Sequence, residues 1–236
     1  MLMPTTSFHA HSHYRLIIFD HDGTIVDTVK DIGTAANFAL KNFGFHELAL
    51  EKFVHFIGWG MRETVRKAMP VNLQNEHHKD LIDQLYKQMH DYYNLHPYHH
   101  SLAYEKIPEL LKTLQDKNLA LAIYSNKDEV ILKTLAAHFF PSIYFAEVIG
   151  IKCTTSPKKP DPAPILTLAN SLGISDPQEI LLVGDSNVDL ETASNSGCDL
   201  AYVTWGYGKL SDEQLDNASI RCFKITNVPE LELLLQ

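Results

Sequence analysis

Two carboxylates one residue apart, Asp20 and Asp22, follow the apolar run Leu16-Ile17-Ile18-Phe19 and lead into Gly23-Thr24. Like charges held this close are costly without a cation or a shared proton. The pair therefore asks for a divalent metal, with one acid as nucleophile or ligand and the other as proton carrier. Further polar groups suited to phosphoryl chemistry lie downstream. They are Ser125-Asn126, the cationic loop Lys158-Lys159-Pro160-Asp161-Pro162, and Gly184-Asp185-Ser186 with Asp189 four positions after Asp185. A hydroxyl and a backbone N–H can hold phosphoryl oxygens, and a lysine can neutralise the charge that develops on them. Each piece alone has an ordinary explanation as a turn, a helix cap or a loop. Their order along the chain is what singles them out.

Each group falls at, or close after, the carboxyl end of a predicted element of one sheet. Residues 16–19, 119–124 and 180–183 read as strands buried on both faces. Helices are predicted over 108–117, 128–138, 162–172, 188–196 and 229–235, with further strands at 146–151, 200–204 and 221–225. Strands alternating with helices define an α/β fold, a doubly wound parallel sheet with right-handed crossovers. In such a sheet all the carboxyl ends lie on one edge, where ligands bind. The scattered acids, hydroxyl and lysine are thus expected to meet there.

Nothing between Asp31 and His96 reads as a strand. Helices are predicted near 31–43, 48–56, 61–69 and 75–94, the last with Leu81, Leu85, Met89 and Tyr92 as its inward stripe. Gly58-Trp59-Gly60 interrupts the pattern. The expected organisation is a core of residues 1–28 and 104–236 with a small all-helical insertion at 29–103.

Asp20-His21-Asp22-Gly23-Thr24, Ser125, Lys159 and Gly184-Asp185 with Asp189 resemble, in this order, the four motifs of the haloacid dehalogenase superfamily. The resemblance covers nearly the whole chain and implies a Rossmann-like core with a helical cap. It implies that Asp20 attacks phosphorus to form an aspartyl-phosphate and that Asp22 acts as general acid and base. It further implies that Mg²⁺ is held by the Asp20 and Asp185 carboxylates and the Asp22 backbone carbonyl. Ser125 and the N–H of Asn126 would bind the phosphoryl oxygens with Lys159, and Asp189 would support the metal or that lysine. Lys159 is preferred to Lys158 because the family's lysine directly precedes Pro; Lys158 is expected to face solvent. Dehalogenating members lack the second Asp, so Asp22 argues for phosphoryl transfer. His21 stands where the family usually carries an apolar residue, and it is expected to pack without a role.

Within the superfamily the chain is similar to phosphoglycolate phosphatases through Ile57-Gly58-Trp59-Gly60, Lys159-Pro160-Asp161-Pro162-Ala163-Pro164 and Val203-Thr204-Trp205-Gly206-Tyr207-Gly208. The expected activity is hydrolysis of a small phosphate ester such as 2-phosphoglycolate. A β-phosphoglucomutase-like phosphomutase, or a sugar-phosphate, nucleotide or pyrophosphate phosphatase, stands as the alternative. Gly58, Trp59 and Arg62 are the cap's candidates for substrate contact, Arg62 because its planar fork suits a carboxylate.

Composition narrows the partners. A net charge of −9 disfavours a nucleic-acid backbone or an anionic membrane. Three widely spaced cysteines, Cys153, Cys198 and Cys222, show neither a disulfide framework nor zinc spacing. Together with the lack of a signal-peptide pattern in residues 1–13, this sets the expectation of a cytoplasmic protein. The histidines at 9, 11 and 13 precede the first strand and are read as part of a solvated tail.

Overall fold

The chain opens with β1 (Leu16–Phe19), β2 (Val26–Asp27) and α1 (Val29–Asn42). The helices α2 (Met61–Ala68) and α3 (Lys79–Leu95) follow, and β3 (Leu102–Ala103) ends this stretch. Next come α4 (Ile107–Asp116), β4 (Ala120–Asp128), α5 (Glu129–Phe139), β5 (Glu147–Ile151), α6 (Ala163–Ser171) and β6 (Ile180–Gly184). The chain closes with α7 (Asn187–Ser196), β7 (Asp199–Val203), α8 (Asp212–Asp216), β8 (Cys222–Ile225) and α9 (Val228–Leu234). This computed structural model describes residues 13–153 and 155–236. The reading of His9 and His11 lies outside them; His13 is exposed, with its ring 3.0 Å from the Arg221 guanidinium. Among the described residues no helix is long and apolar enough to cross a membrane.

Six strands form a parallel sheet in the order β5-β4-β1-β6-β7-β8. Because strand side chains alternate, Ile17 and Phe19 pack on one face with α4 and α9, and Leu16 and Ile18 on the other with α6 and α7. Both faces are covered, so β1 is fully buried, in keeping with its lack of polar alternation. This is the α/β sheet that the sequence predicts.

Helices α1, α2 and α3 share a separate apolar cluster, to which α5 adds Ile131 and Leu135. The buried stripe of α3 is Ile82, Leu85, Met89 and Tyr93. The expected stripe named Leu81 and Tyr92 instead, which are one position off and lie at its margin. The segment expected as a helix over 48–56 is a 3₁₀ turn, Leu50–His55. Two features went unread. Strands β2 and β3 pair antiparallel in a short ribbon where the chain enters and leaves the helical stretch. The short helix α8 follows a Ser211/Gln214 capping box.

Candidate active site

The carboxyl ends of β1, β4 and β6 deliver the acids and the polar groups to one edge. Asp20 follows β1 directly, and its N–H bonds the Val183 carbonyl of β6 at 2.8 Å. Gly23 then turns the chain with φ +84°, a conformation that side chains with a Cβ rarely adopt. A Cβ there would also lie 2.7 Å from Asp185 Oδ2, so the turn brings the first and last acidic motifs together.

Three buried groups form a connected line. Lys159 Nζ lies 2.8 Å from Asp20 Oδ1 and 2.6 Å from Asp189 Oδ1. Lys159 is 1 % exposed, whereas Lys158 faces solvent, as expected. The loop carrying Lys159 is fixed by Asn126, whose Oδ1 accepts from Lys159 N at 2.7 Å and whose Nδ2 donates to Lys159 O at 3.1 Å. Asp189 Oδ2 accepts from Ser186 N and Oγ, which also caps α7. Asp189 thus carries Lys159 on one oxygen and Ser186 on the other. Ser125 is buried and lines the same small pocket as Asp20 and Asp22.

Asp185 is held from two sides. Thr24 Oγ1 donates to its Oδ1 at 2.9 Å, and the N–H groups of Tyr207 and Gly208 donate to Oδ2 at 2.6 and 3.2 Å. The Tyr207 hydroxyl reaches the start of α1, accepting from Thr28 N at 2.6 Å and Val29 N at 3.0 Å and donating to Asp27 at 2.8 Å. One loop thus braces both Asp185 and the entry to the helical stretch.

Asp22 is bound on one oxygen only. Its Oδ1 receives Thr28 Oγ1 at 2.7 Å, His21 Nδ1 at 3.0 Å and Lys127 Nζ at 3.1 Å. Among the described residues Oδ2 has no protein hydrogen-bond partner. His21, expected only to pack, is fully buried and also bonds Asp22, while its Nε2 has no partner among the described residues. Lys127 was not read from the sequence. It lies two residues beyond Ser125 on the irregular end of β4, where the register with β5 shifts and turns it inward. Its ammonium is also 3.2 Å from the Tyr93 hydroxyl and 4.7 Å from the Tyr93 ring.

The electrostatics follow from this packing. Burial pushes the Asp20 carboxyl up to about 7, against the pull of Lys159 and with the push of Asp189 and Asp185. Burial, reinforced by Asp189, likewise raises Asp185 to about 6. For Asp22 burial acts upward too, but Lys127, His21 and Thr28 outweigh it and hold the carboxyl well below the usual range. Burial opposes the charge on Lys127 and Lys159, yet their acidic partners keep both ammonium groups above their ordinary range. Burial pushes the His21 imidazole down.

Asp20, Asp185 and Asp189 each offer an oxygen, all within 4.8 Å of one another. Crowded, buried carboxylates repel one another and are stabilised by a cation. An all-oxygen donor set suits a hard divalent ion.

The cap candidates lie apart from one another. The Gly58 carbonyl accepts from Asn126 Nδ2 at 3.1 Å, and Gly58 lines the cavities over Asp20 and Asp22. Trp59 and Arg62 line a neighbouring cavity of about 370 Å³ with Tyr86, Lys152 and Lys158. Arg62 is paired there with Asp83 at 2.6 Å.

Residues 17–203 match the model of the haloacid dehalogenase-like hydrolase family. The chain belongs to this family, as one of its phosphatases. It is 33 % identical to a phosphoglycolate phosphatase of Aquifex aeolicus, over 84 % of this chain and 89 % of that one. It is 31 % identical to that of Aliivibrio fischeri, over 87 % and 92 %. Among solved structures it resembles a Lactobacillus delbrueckii protein to which the same activity has been ascribed. That match has a TM-score of 0.81 and 26 % identity and covers 94 % of this chain and 98 % of the other.

Proposed function

We propose that this chain is a Mg²⁺-dependent phosphomonoesterase that works through an aspartyl-phosphate on Asp20 and acts on a small ester, 2-phosphoglycolate foremost. The observation that carries the proposal is the buried pairing of Asp20 with Lys159 beside an Asp22 anchored through one oxygen. Residues 29–103 would serve as the cap over a core of residues 1–28 and 104–236.

Asp20 attacks phosphorus, so an O–P bond forms to its carboxylate as the P–O bond to the leaving alcohol breaks. Lys159, Ser125 and the N–H of Asn126 hold the phosphoryl oxygens while negative charge builds on them. Asp22, fixed through Oδ1 and ionised in the free site, gains a proton on Oδ2 from the phosphate ester monoanion as it binds and hands it to the departing oxygen. The same carboxylate then takes a proton from the water that cleaves the aspartyl-phosphate. Mg²⁺ would be held by Asp20, Asp185 and the Asp22 backbone carbonyl, and when bound it supplies charge neutralisation between nucleophile and phosphate. Thr24, Tyr207 and Gly208 orient Asp185 for that role.

The test is phosphate release across a panel of small phosphate esters, with Mg²⁺ and with a chelator, for the wild type and Asp20→Asn. Chelator-sensitive turnover of 2-phosphoglycolate that vanishes in the variant is expected. Turnover that survives in Asp20→Asn overturns the mechanism. Transfer to a sugar phosphate without phosphate release would replace hydrolysis by a mutase activity.

A further inference from the structure

We infer that Lys127 is the group that recognises the far end of the substrate, and that this end carries a carboxylate. The inference rests on the phosphomonoesterase reading above and deepens it.

Two buried ammonium groups flank the acid pair. Lys159 stands on Asp20 and Lys127 on Asp22, and each is 2 % exposed or less. An ammonium carries three N–H donors. Lys159 spends two on Asp20 and Asp189, which leaves one for the transferring phosphoryl group. Lys127 spends two on Asp22 and Tyr93. Among the described residues its third donor has no partner. Leaving a charged donor unsatisfied away from water is expensive, and Lys127 is one of the residues that line the pocket with Asp20, Asp22, Ser125, Ile57, Gly58 and Thr64. Among the described residues Lys127 is the only cationic one in that lining; Lys159 stands outside it, behind Asp20.

Position sets what the donor meets. The ester oxygen sits one hydrogen bond from Asp22 when that residue gives it a proton. In a phosphorylated 2-hydroxy acid the carboxylate is separated from that oxygen by a single carbon. A cation that is itself in contact with Asp22 is therefore within reach of it. The cap arginines offer no rival anion site: Arg62 is committed to Asp83 and Arg66 to Glu63.

The experiment compares 2-phosphoglycolate with 2-hydroxyethyl phosphate, in which a neutral CH₂OH replaces the carboxylate. Values of kcat/KM are measured for the wild type, Lys127→Gln and Lys127→Met. The wild type is expected to prefer the acid by about 100-fold, the scale of one hydrogen bond to a charged group. Both variants should bring the preference close to parity, through KM on the acid. Titration calorimetry in the Asp20→Asn background should show the same selective loss of 2-phosphoglycolate affinity on adding Lys127→Gln. A wild type without preference overturns the inference even if neither variant folds. So does a preference that persists in the variants, or an equal loss on both esters, which would mark Lys127 as acting only through Asp22. If the wild type hydrolyses other esters but neither of these, the substrate reading itself falls and takes the inference with it.

Discussion

Replacing Lys159 by Met would remove the ammonium that lies 2.8 Å from Asp20 and 2.6 Å from Asp189. At an effective dielectric of about 20, each contact is worth roughly 6 kcal/mol of attraction. Desolvation of several kcal/mol per ion offsets most of that in the intact site. In Lys159→Met the attraction disappears while the desolvation cost stays, because both carboxylates remain buried with no counter-ion. The unfolding free energy should therefore fall by about 3–5 kcal/mol. Adding Asp189→Asn removes one of the stranded charges and should restore about 1–2 kcal/mol. Asp189→Asn alone should destabilise, since it takes a partner from Lys159. Urea unfolding of the four proteins, without divalent cation and at neutral pH, closes the cycle. Effects that add within about 0.5 kcal/mol would refute the claim that the three groups act as a unit. Turnover gives a second readout: Lys159→Met should lose about 10²–10³ in kcat. The double variant should not recover it, because the lost donor to the phosphoryl oxygens is still missing.

Other perturbations test other parts of the molecule. Ser156 and Thr155 hydrogen bonds lower the exposed Cys153 thiol to about 7, while burial pushes Cys198 up to about 12. Alkylation of Cys153 should therefore rise through a midpoint near pH 7, with Cys198 unreacted in folded protein; peptide mass spectrometry after iodoacetamide reads both, and a Cys153 midpoint at the ordinary thiol value counts against the hydrogen bonds. A Cβ on Gly208 would lie 2.0 Å from the Asp185 carbonyl oxygen and 2.8 Å from Ser186 Cα. Gly208→Ala must therefore shift the loop that orients Asp185, and half-saturation with Mg²⁺ should need at least ~10-fold more metal; an unchanged titration curve rules out that orienting role. Tyr207→Phe removes the hydroxyl that serves Thr28 N, Val29 N and Asp27. It should cost about 1–3 kcal/mol and speed amide exchange at Thr28 and Val29, measured by hydrogen–deuterium exchange.

The parallel sheet was legible because β1, β6 and the Ala120–Tyr124 part of β4 are uninterrupted apolar runs that alternate with helical segments along the chain. The polar groups at the strand ends were legible for a related reason: in a parallel sheet the carboxyl end of a strand is a definite place, so Asp20, Ser125, Lys159 and Asp185 could be expected together. What stayed hidden depends on contacts between distant segments. Lys127 in Ser-Asn-Lys-Asp reads as a solvated helix start, and only the irregular end of β4 and the arrival of Tyr93 turn it inward. His21 and Thr28 have side chains compatible with many environments; their shared hold on Asp22 Oδ1 is set by the turn at Gly23. Tyr207 sits in a stretch singled out by resemblance, but nothing local indicates that its hydroxyl spans to residues 27–29. The two-residue strands β2 and β3 are too short to show any period. The α3 stripe was misphased because Leu81 and Tyr92, apolar and aromatic, border the true face. The Ser211/Gln214 pair is a helix-start signature visible in the sequence itself.

The β2–β3 ribbon has a consequence for how this protein can change. Because the chain leaves and re-enters the sheet domain through two paired, adjacent segments, the length and shape of everything between them are nearly free variables. A foreign helical module grafted between Val29 and Leu102 would keep the Thr28 bond to Asp22, the Tyr207 brace and the strand order. To remain compatible, the transplant would have to bring its own companions for Lys127 and Asn126, the parts now played by Tyr93 and Gly58.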